Sequence, residues 1–175
     1  MAAHQKHALW IRPFGETAFE LKQRIRRLSK QYGTPMFEPH ITLVSGLYQG
    51  ETELIQLTDT LAGSLSPFQV ELKGLGYRDH YYQCLYFKVK NTNSFLNVQK
   101  VAGKFFGYES DEGYFPHLSL MYGNIPEREK RRLISTMDKS EYIRFPIHSL
   151  LLIKTEGDVN DWEKIHSAEF KHSYS

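Results

Sequence analysis

The chain has 175 residues, the size of one ordinary domain, and we expect a single domain over residues 1–175. Apolar residues make up 41% and charged residues 24%, a balance that predicts a packed core and does not suggest disorder. The net charge of +2 argues against a long nucleic-acid interface, although a local basic patch could still bind a phosphate.

The first part of the chain alternates strand and helix patterns. A strand is predicted over residues 7–13, and Pro13 and Gly15 end it. The segment Thr17-Ala-Phe-Glu20 resembles a capping box. Apolar residues at helical spacing then predict a helix that Gly33 stops: Ala18, Leu21, Ile25, Leu28 and Tyr32. A strand over 38–44 and a helix over 51–63 follow, the helix with Leu54, Leu57 and Leu61 facing inward.

The second part of the chain repeats this alternation. Two strands are predicted over 68–77 and 81–90, joined at residues 78–80. A helix over 94–106 places Phe95, Val98, Val101 (or Ala102) and Phe105 on one side. The remaining predictions are a strand over 116–122, a helix over 126–137 with Pro126 in its first turn, and strands over 143–154 and 162–170. The order gives two similar halves and predicts an α+β fold.

An internal repeat is the most specific feature of the sequence. Residues 37–43 are Phe-Glu-Pro-His-Ile-Thr-Leu, and residues 114–120 are Tyr-Phe-Pro-His-Leu-Ser-Leu. Each copy follows a predicted helix and precedes another, so the context repeats as well, and a duplication is the simplest explanation. A single His-x-Thr on a strand is usually structural, whereas two copies in matching contexts favour a functional pair.

Strand geometry explains the spacing within each copy. Side chains alternate between faces, so His40 and Thr42 project together, as do His117 and Ser119. Pro39 and Pro116 suit the start of a strand, because proline has a fixed φ and no N–H to donate. If the two halves are related by an approximate two-fold axis, both pairs meet in one groove.

Such a groove has the groups needed to open a cyclic phosphodiester. One imidazole could activate water and the other could protonate the departing ribose oxygen, since histidine titrates near neutral pH. The hydroxyls of Thr42 and Ser119 could donate hydrogen bonds to the phosphoryl oxygens. No cysteine or carboxylate recurs beside both histidines to complete a metal site, so we expect neither a metal nor another cofactor.

These residues resemble the two-histidine (2H) phosphoesterase superfamily, and most closely its cyclic phosphodiesterase branch from plants and yeast. Beyond the two motifs, the similarity includes Pro39, the run Pro116-His-Leu-Ser-Leu-Met-Tyr122 and the segment Tyr81-Tyr-Gln-Cys-Leu85. The resemblance implies a bilobal fold of two ferredoxin-like halves, with mixed or antiparallel sheets around a central groove and helices outside. It also implies hydrolysis of ADP-ribose 1″,2″-cyclic phosphate and of nucleoside 2′,3′-cyclic phosphates to 2′-phosphates, a chemistry of RNA and tRNA splicing metabolites.

The resemblance also implies roles for particular residues. His40 and His117 would be the acid–base pair, in an order that the sequence leaves open, and Thr42 and Ser119 would bind the phosphate. Tyr122 matches a tyrosine that helps to hold the phosphate, with a core aromatic as the alternative. Tyr82 matches an aromatic residue that covers the substrate base, with a packed strand residue as the alternative.

The chain departs from the plant enzymes at two points. They have Phe where this chain has Tyr82, and they carry further cysteines, so no disulfide-linked control transfers to a chain with only Cys84. We assign the remaining histidines to surface or structural positions: His4, His7, His80, His148, His166 and His172. Of these, His80 beside Tyr81 is the one closest to a predicted site residue.

Two other functions stay open at this point. The LigT-like branch of the superfamily, which acts on RNA 2′,3′-cyclic ends or 2′–5′ linkages, shares both motifs, and RNA ends are then the partner. A non-catalytic nucleotide-binding module would not need two proton-transfer groups. The start of the chain has no apolar signal core and no segment is long enough to span a bilayer, so we expect a cytoplasmic monomer without membrane contact.

Overall fold

The structure is a computed structural model that describes residues 5–108 and 114–171. Its strands are β1 (His7–Ile11), β2 (Ile41–Leu47), β3 (Phe68–Gly76), β4 (Leu85–Val89), β5 (His117–Met121), β6 (Tyr142–Ile147), β7 (Ser149–Lys154) and β8 (Glu163–Glu169). Its α-helices are α1 (Gly15–Tyr32), α2 (Glu51–Ser64), α3 (Asn93–Phe105) and α4 (Glu127–Thr136). Short 3₁₀ turns cover Tyr81–Gln83 and Val159–Asp161. The predicted α+β class is confirmed.

All eight strands belong to one sheet in the order β6-β3-β4-β5-β2-β1-β7-β8, and every pairing is antiparallel. The sheet has two four-stranded lobes that meet where β2 pairs with β5 through Ile41 and Leu118. The chain does not complete one lobe before it begins the other. Strands β7 and β8, from the end of the chain, join β1 and β2 in the first lobe.

The predicted strand over 143–154 is wrong, because the structure divides it between the two lobes. Strand β6 pairs with β3 at the edge of the second lobe, and β7 lies between β1 and β8 in the first. The burial patterns explain the division. Residues 142–147 alternate between exposed and buried positions, as an edge strand does, whereas residues 149–153 are all buried, as in a central strand.

Three further predictions at element ends need correction. Helix α1 begins at Gly15, so Thr17 lies inside its first turn and the capping box is absent. Strand β2 begins at Ile41 rather than residue 38, because Pro39 has no N–H for a ladder, and His40 therefore directly precedes the strand. Tyr82 lies in a 3₁₀ turn and not in a strand, which removes the packed-strand alternative for this residue.

The core lies between the helices and the sheet. Leu21, Ile25 and Leu28 of α1 are buried as predicted, and Gly33 ends this helix in the left-handed conformation at φ 65°. Helix α3 buries Phe95, Val98 and Ala102. Within residues 5–108 and 114–171, no helix is long and apolar enough to cross a membrane.

Most of the remaining histidines lie away from the motifs. His7 is buried, with its ring bonded to the Gln5 carbonyl, and His166 pairs with Asp59. His80 is exposed but lines the cavity described below, whereas His4 and His172 lie outside the described residues. Cys84 is buried and unpaired.

Candidate active site

A cavity of about 570 Å³ lies where the two lobes meet. It brings together all six residues that the sequence singled out: His40, Thr42, Tyr82, His117, Ser119 and Tyr122. These residues come from positions up to 82 residues apart in the chain, and the β2–β5 pairing joins the two motifs directly. The predicted convergence of the motifs therefore matches the geometry.

The apolar residues of the repeat fix the direction of the polar ones. Ile41 and Leu43 are buried in the core, and so are Leu118 and Leu120 of the second copy. Because strand side chains alternate, this burial turns the intervening hydroxyl residues, Thr42 and Ser119, to the cavity face. A one-residue slip of either strand would exchange the two faces and destroy the site.

Both motif histidines are held in the same way. The ring Nδ1 of His40 lies 2.7 Å from the carbonyl oxygen of Glu38, and Nδ1 of His117 lies 2.8 Å from that of Phe115. A carbonyl can only accept, so each Nδ1 carries the proton and donates it. In the neutral ring each Nε2 therefore has a lone pair available, which is the form a general base requires.

The surroundings of His40 disfavour its charged form. The ring is 6% exposed and stacks on Trp10, with 3.4 Å between ring centroids and 7° between planes. Burial lowers the pKa of His40 to about 3, the hydrogen bond to Glu38 opposes this shift, and the charge of His117 adds to it. His40 is consequently neutral at physiological pH.

His117 is less enclosed. Tyr86 meets its ring edge-on at 5.4 Å, and Phe115 stacks at 5.8 Å. Burial lowers the pKa of His117, the bond to the Phe115 carbonyl opposes the shift, and the charges of Arg78 and His80 lower it further. Arg78 is close because its guanidinium lies 4.0 Å from the centre of the Phe115 ring.

The two hydroxyl residues differ in their hydrogen bonds. Ser119 donates its hydroxyl to the backbone carbonyl of Tyr82 at 2.8 Å, so it holds the turn that carries this tyrosine. The carbonyl of Thr42 accepts from the Tyr114 hydroxyl at 2.9 Å. The Thr42 hydroxyl makes no hydrogen bond within the described parts of the chain, so of the pair it is the donor still free for a ligand.

Tyr122 lies directly after the end of β5, so strand alternation no longer governs its direction. Its ring stacks on Phe37 with 3.8 Å between centroids, and its hydroxyl lies 3.4 Å from Nε2 of His40. Burial, followed by the charges of Tyr82 and Tyr81, raises the pKa of Tyr122, so its hydroxyl stays protonated. The residue is both a core aromatic and a cavity-facing donor.

Aromatic rings enclose one end of the cavity. Tyr82 is 42% exposed and lies 5.2 Å from the Tyr122 ring and 5.8 Å from that of Trp162. Trp10 and Trp162, which the sequence did not single out, complete this end. Strand alternation is the signal that could have identified Trp10, because Trp10 lies opposite Thr42 in the pairing of β1 with β2.

Metal-binding groups do not cluster at this site. Among residues 5–108 and 114–171 there is no group of three or more His, Cys, Asp or Glu side chains that could hold a metal ion. The polar groups that face the cavity are chiefly imidazoles, hydroxyls and amides.

The model of one protein family, described as cyclic phosphodiesterase-like protein, matches residues 6–170. A cyclic phosphodiesterase from Arabidopsis thaliana is 22% identical over 166 residues, which cover 91% of this chain and 92% of that protein. The similarity thus extends over nearly the whole chain and agrees with the resemblance found at the motifs.

Solved structures share the fold. TT0787 of Thermus thermophilus has a TM-score of 0.65 at 18% identity, covering 95% of this chain and 100% of its own. Escherichia coli LigT in complex with 3′-AMP has a TM-score of 0.63 at 11% identity, covering 97% and 99%. LigT has also been solved with ATP and with NADP+.

Proposed function

We propose a specific reaction for this chain, which belongs to the cyclic phosphodiesterase-like family. It is therefore an enzyme of the 2H phosphoesterase superfamily that hydrolyses cyclic phosphodiesters. Its substrates are small: ADP-ribose 1″,2″-cyclic phosphate, nucleoside 2′,3′-cyclic phosphates, or both. For the nucleoside substrates the product is the 2′-phosphate. Catalysis uses the two histidines and needs no metal.

One observation supports this proposal above the others: the matched state of the two imidazoles. His40 and His117 each donate Nδ1–H to the carbonyl two residues earlier, so the lone pair of each Nε2 is an acceptor on the side of one cavity, where the Tyr122 hydroxyl lies 3.4 Å from Nε2 of His40. A site that only binds phosphate would gain nothing from two imidazoles kept largely neutral. Hydrolysis requires one proton acceptor and one proton donor, and equivalent rings on two adjoining strands can supply both.

We assign the base role to His40 and the acid role to His117. Because the pKa of His40 is lowered to about 3, its Nε2 is free to accept a proton from water across the physiological range. The water oxygen then bonds to phosphorus, the bond from phosphorus to the 3′ oxygen breaks, and Nε2–H of His117 protonates that oxygen. An anionic phosphate beside His117 raises the pKa of this ring and so favours the protonated form that the step needs.

The phosphoryl oxygens need donors that are already oriented. The Thr42 hydroxyl and the protonated Tyr122 hydroxyl both face the cavity. Ser119 can serve the phosphate only when its hydroxyl leaves the Tyr82 carbonyl. Thr42 is therefore the first donor to the phosphate. Tyr122 joins it when its hydroxyl leaves Nε2 of His40, and Ser119 joins it as the Tyr82 turn adjusts.

Cavity size and charge favour small substrates. A volume of about 570 Å³ falls within the range of roughly 300–1,000 Å³ typical of small-molecule sites. Among the described residues, Lys6 is the one lysine that lines the cavity and no arginine lines it, whereas tracking an RNA strand requires several cations along a groove. Tyr82, Tyr122 and the two tryptophans at the aromatic end suit a single stacked base.

The RNA-directed activity of the LigT-like branch is the second candidate, since its catalytic residues would be the same. A direct experiment separates the possibilities. Purified protein is dialysed against EDTA and incubated with ADP-ribose 1″,2″-cyclic phosphate, a nucleoside 2′,3′-cyclic phosphate and an oligonucleotide ending in the same cyclic group. The position of phosphate in each product is then read by ³¹P NMR.

The proposal predicts turnover of the small substrates in EDTA and formation of 2′-phosphate from the nucleoside. A strong preference for the oligonucleotide, weakening steeply as salt rises, would instead favour the RNA-directed function. Activity that is lost in EDTA and restored by a divalent ion would contradict the two-histidine mechanism.

A further inference from the structure

One position of the internal repeat is filled differently in its two copies. Glu38 and Phe115 each precede the proline before the motif histidine, and each accepts the histidine Nδ1–H at its backbone carbonyl. The Glu38 carboxylate is exposed and pairs with Lys22. The Phe115 ring instead lies beside His117, with 5.8 Å between ring centroids and 17° between planes. The side chain at this position therefore contacts a motif histidine face to face only in the second copy.

The Phe115 ring is held by two further side chains. The guanidinium of Arg78 lies 4.0 Å from the ring centre, and Tyr86 meets the ring by its edge at 5.3 Å. Tyr86 also meets His117 at 5.4 Å, so the three rings form one cluster. These distances place the guanidinium within about 10 Å of the imidazole centre, close enough for its charge to act on the imidazole despite screening by salt.

Three hydrogen bonds fix Arg78 in this place. Its N–H donates to the Gln83 carbonyl at 3.0 Å, and its guanidinium donates to Oε1 of Gln83 at 3.2 Å. Its own carbonyl accepts a hydrogen bond from Nζ of Lys130 at 2.9 Å. Within residues 5–108 and 114–171 the guanidinium forms no ion pair, so no carboxylate neutralises its charge.

Lys130 is the unusual member of this arrangement. It lies on α4 and is only 4% exposed, although lysine is seldom buried without an acidic partner. Among the described residues no carboxylate is within ion-pair distance of its ammonium, which instead meets the Arg78 carbonyl and the ring of Tyr77, 5.6 Å from the ring centre. Burying a cation in this way costs free energy, and the compensating contact is a charge-assisted hydrogen bond to Arg78.

We propose that Arg78 is a positioning residue that acts through Phe115 on His117, and that the buried ammonium of Lys130 holds Arg78 in place for this role. The inference rests on the proposed function, in which His117 protonates the departing oxygen. A fixed cation near the imidazolium makes it a stronger acid and so favours release of its proton to that oxygen. By holding the Phe115 ring, Arg78 also keeps the carbonyl of the same residue in line with Nδ1 of His117.

Several other groups surround His117, and a test has to separate Arg78 from them. Burial is the largest cause of the lowered pKa of His117, and the charges of Arg78 and then of His80 add to it, against the hydrogen bond to Phe115. The titratable side chains on the neighbouring elements are Lys88, which lies opposite His117 in the β4–β5 pairing, His40, His80, Tyr82, Tyr86 and Tyr122. His80 lies in the same segment as Arg78, so each Arg78 variant is also made in a His80→Asn background.

The test is an NMR titration of the histidine side chains in the free protein, which needs no turnover. His117→Asn assigns the His117 resonances. Arg78→Gln should move the midpoint of the His117 titration to higher pH by roughly 0.2–0.5, the effect of removing one partly screened charge, with or without His80. Arg78→Lys keeps the charge and should move the midpoint less than half as far. Arg26→Gln, at an exposed arginine of α1, is the matched control and should leave the midpoint unchanged.

Lys130→Met tests the anchor. It should move the His117 midpoint in the same direction as Arg78→Gln and should add little when Arg78 is already Gln, because both changes remove one interaction. A thermal melt shows that each variant is folded. An additive effect of the two substitutions would mean that Lys130 does not act through Arg78 and would overturn this part of the inference.

Kinetics on one nucleoside 2′,3′-cyclic phosphate complete the test. Arg78→Gln should lower kcat roughly two- to fivefold with little change in KM, and should have no further effect when His117 is already Asn. A His117 midpoint that stays at its wild-type value in Arg78→Gln, or an equal loss of kcat in both backgrounds, would overturn the inference. A wild type without activity on cyclic phosphates would refute the proposed function, whereas the titration would still show whether Arg78 acts on His117.

Discussion

The two motifs have nearly the same local structure but different surroundings. In the first, β1 places Trp10 opposite Thr42, and in the second, β4 places Tyr86 opposite Ser119 at the equivalent position. Trp10 lies flat on His40 at 3.4 Å, whereas Tyr86 meets His117 by its edge at 5.4 Å. The repeat therefore supplies two equivalent imidazoles, and the residues outside it make them chemically different.

This difference is what a hydrolase needs. Two identical imidazoles would compete for the same proton, whereas acid–base catalysis requires that one be neutral while the other is charged. Deeper burial gives His40 the lower affinity for protons, and more open surroundings leave His117 better able to hold one. The following predictions test whether the two motifs have these separate roles.

Loss of either imidazole should have the largest effect. His40→Asn and His117→Asn should each lower kcat about 10²–10⁴-fold, the usual contribution of a general acid or base. Because the two rings act as one unit, the double variant should be little worse than the worse single variant. His166→Asn, at a histidine that pairs with Asp59 away from the cavity, is the control. A folded single variant with near wild-type kcat would rule out the pair mechanism.

The hydroxyl residues should show a smaller and unequal effect. Thr42→Val removes the free donor and should lower kcat/KM about 10- to 100-fold, since a hydrogen bond to a charged group contributes about 1.5–3 kcal/mol. Ser119→Ala should cost less in the chemical step, because its hydroxyl is already bonded to the Tyr82 carbonyl. Steady-state kinetics on one cyclic phosphate measures both. A larger loss for Ser119→Ala than for Thr42→Val would reverse this order of importance.

The stability of the protein should reveal the same asymmetry. Between pH 6.5 and pH 3 the unfolded chain protonates His40 and the folded chain does not. The contribution of neutral His40 to the free energy of unfolding is therefore fully present above pH 6.5 and is lost as the pH falls. From pH 7 to 5 the wild type should lose about 2 kcal/mol more unfolding free energy than His40→Asn does. Urea unfolding at both pH values measures this. Equal losses in the wild type and His40→Asn would show that His40 titrates normally.

The Trp10 indole, which stacks on His40, should account for part of the lowering of the His40 pKa. Trp10→Leu opens the face of His40 and should raise the pKa of this histidine, which moves the acid limb of the kcat/KM profile to higher pH. Tyr86→Leu should move the alkaline limb less, because Tyr86 only touches His117 by its edge. Equal shifts from the two substitutions would mean that the aromatic neighbours do not create the asymmetry.

The sequence alone was sufficient to predict the parts of the site that belong to the internal repeat. Alternation in Pro-His-Ile-Thr and Pro-His-Leu-Ser predicted which side chains share a face, and the α+β class followed from the order of elements. The division of 143–154 into β6 and β7 was missed because the break is a single residue, His148, and only the change from alternating to continuous apolar residues marks it. Trp162 was missed because only the tertiary arrangement brings it to the cavity, and Trp10 was missed because alternation places it there only once β1 is known to pair with β2.

The pH dependence of kcat/KM on one nucleoside 2′,3′-cyclic phosphate, measured for the wild type, His40→Asn and His117→Asn, tests the central claim most directly. The wild type should give a bell with both limbs below pH 6.5, because the active form has a neutral His40 and a charged His117 and burial lowers both pKa values. These limbs are macroscopic values of the pair, so the variants are needed to assign them. We predict that His40→Asn loses only the rising limb and His117→Asn only the falling limb. Variants that keep both limbs, or lose them in the opposite order, would contradict the assignment.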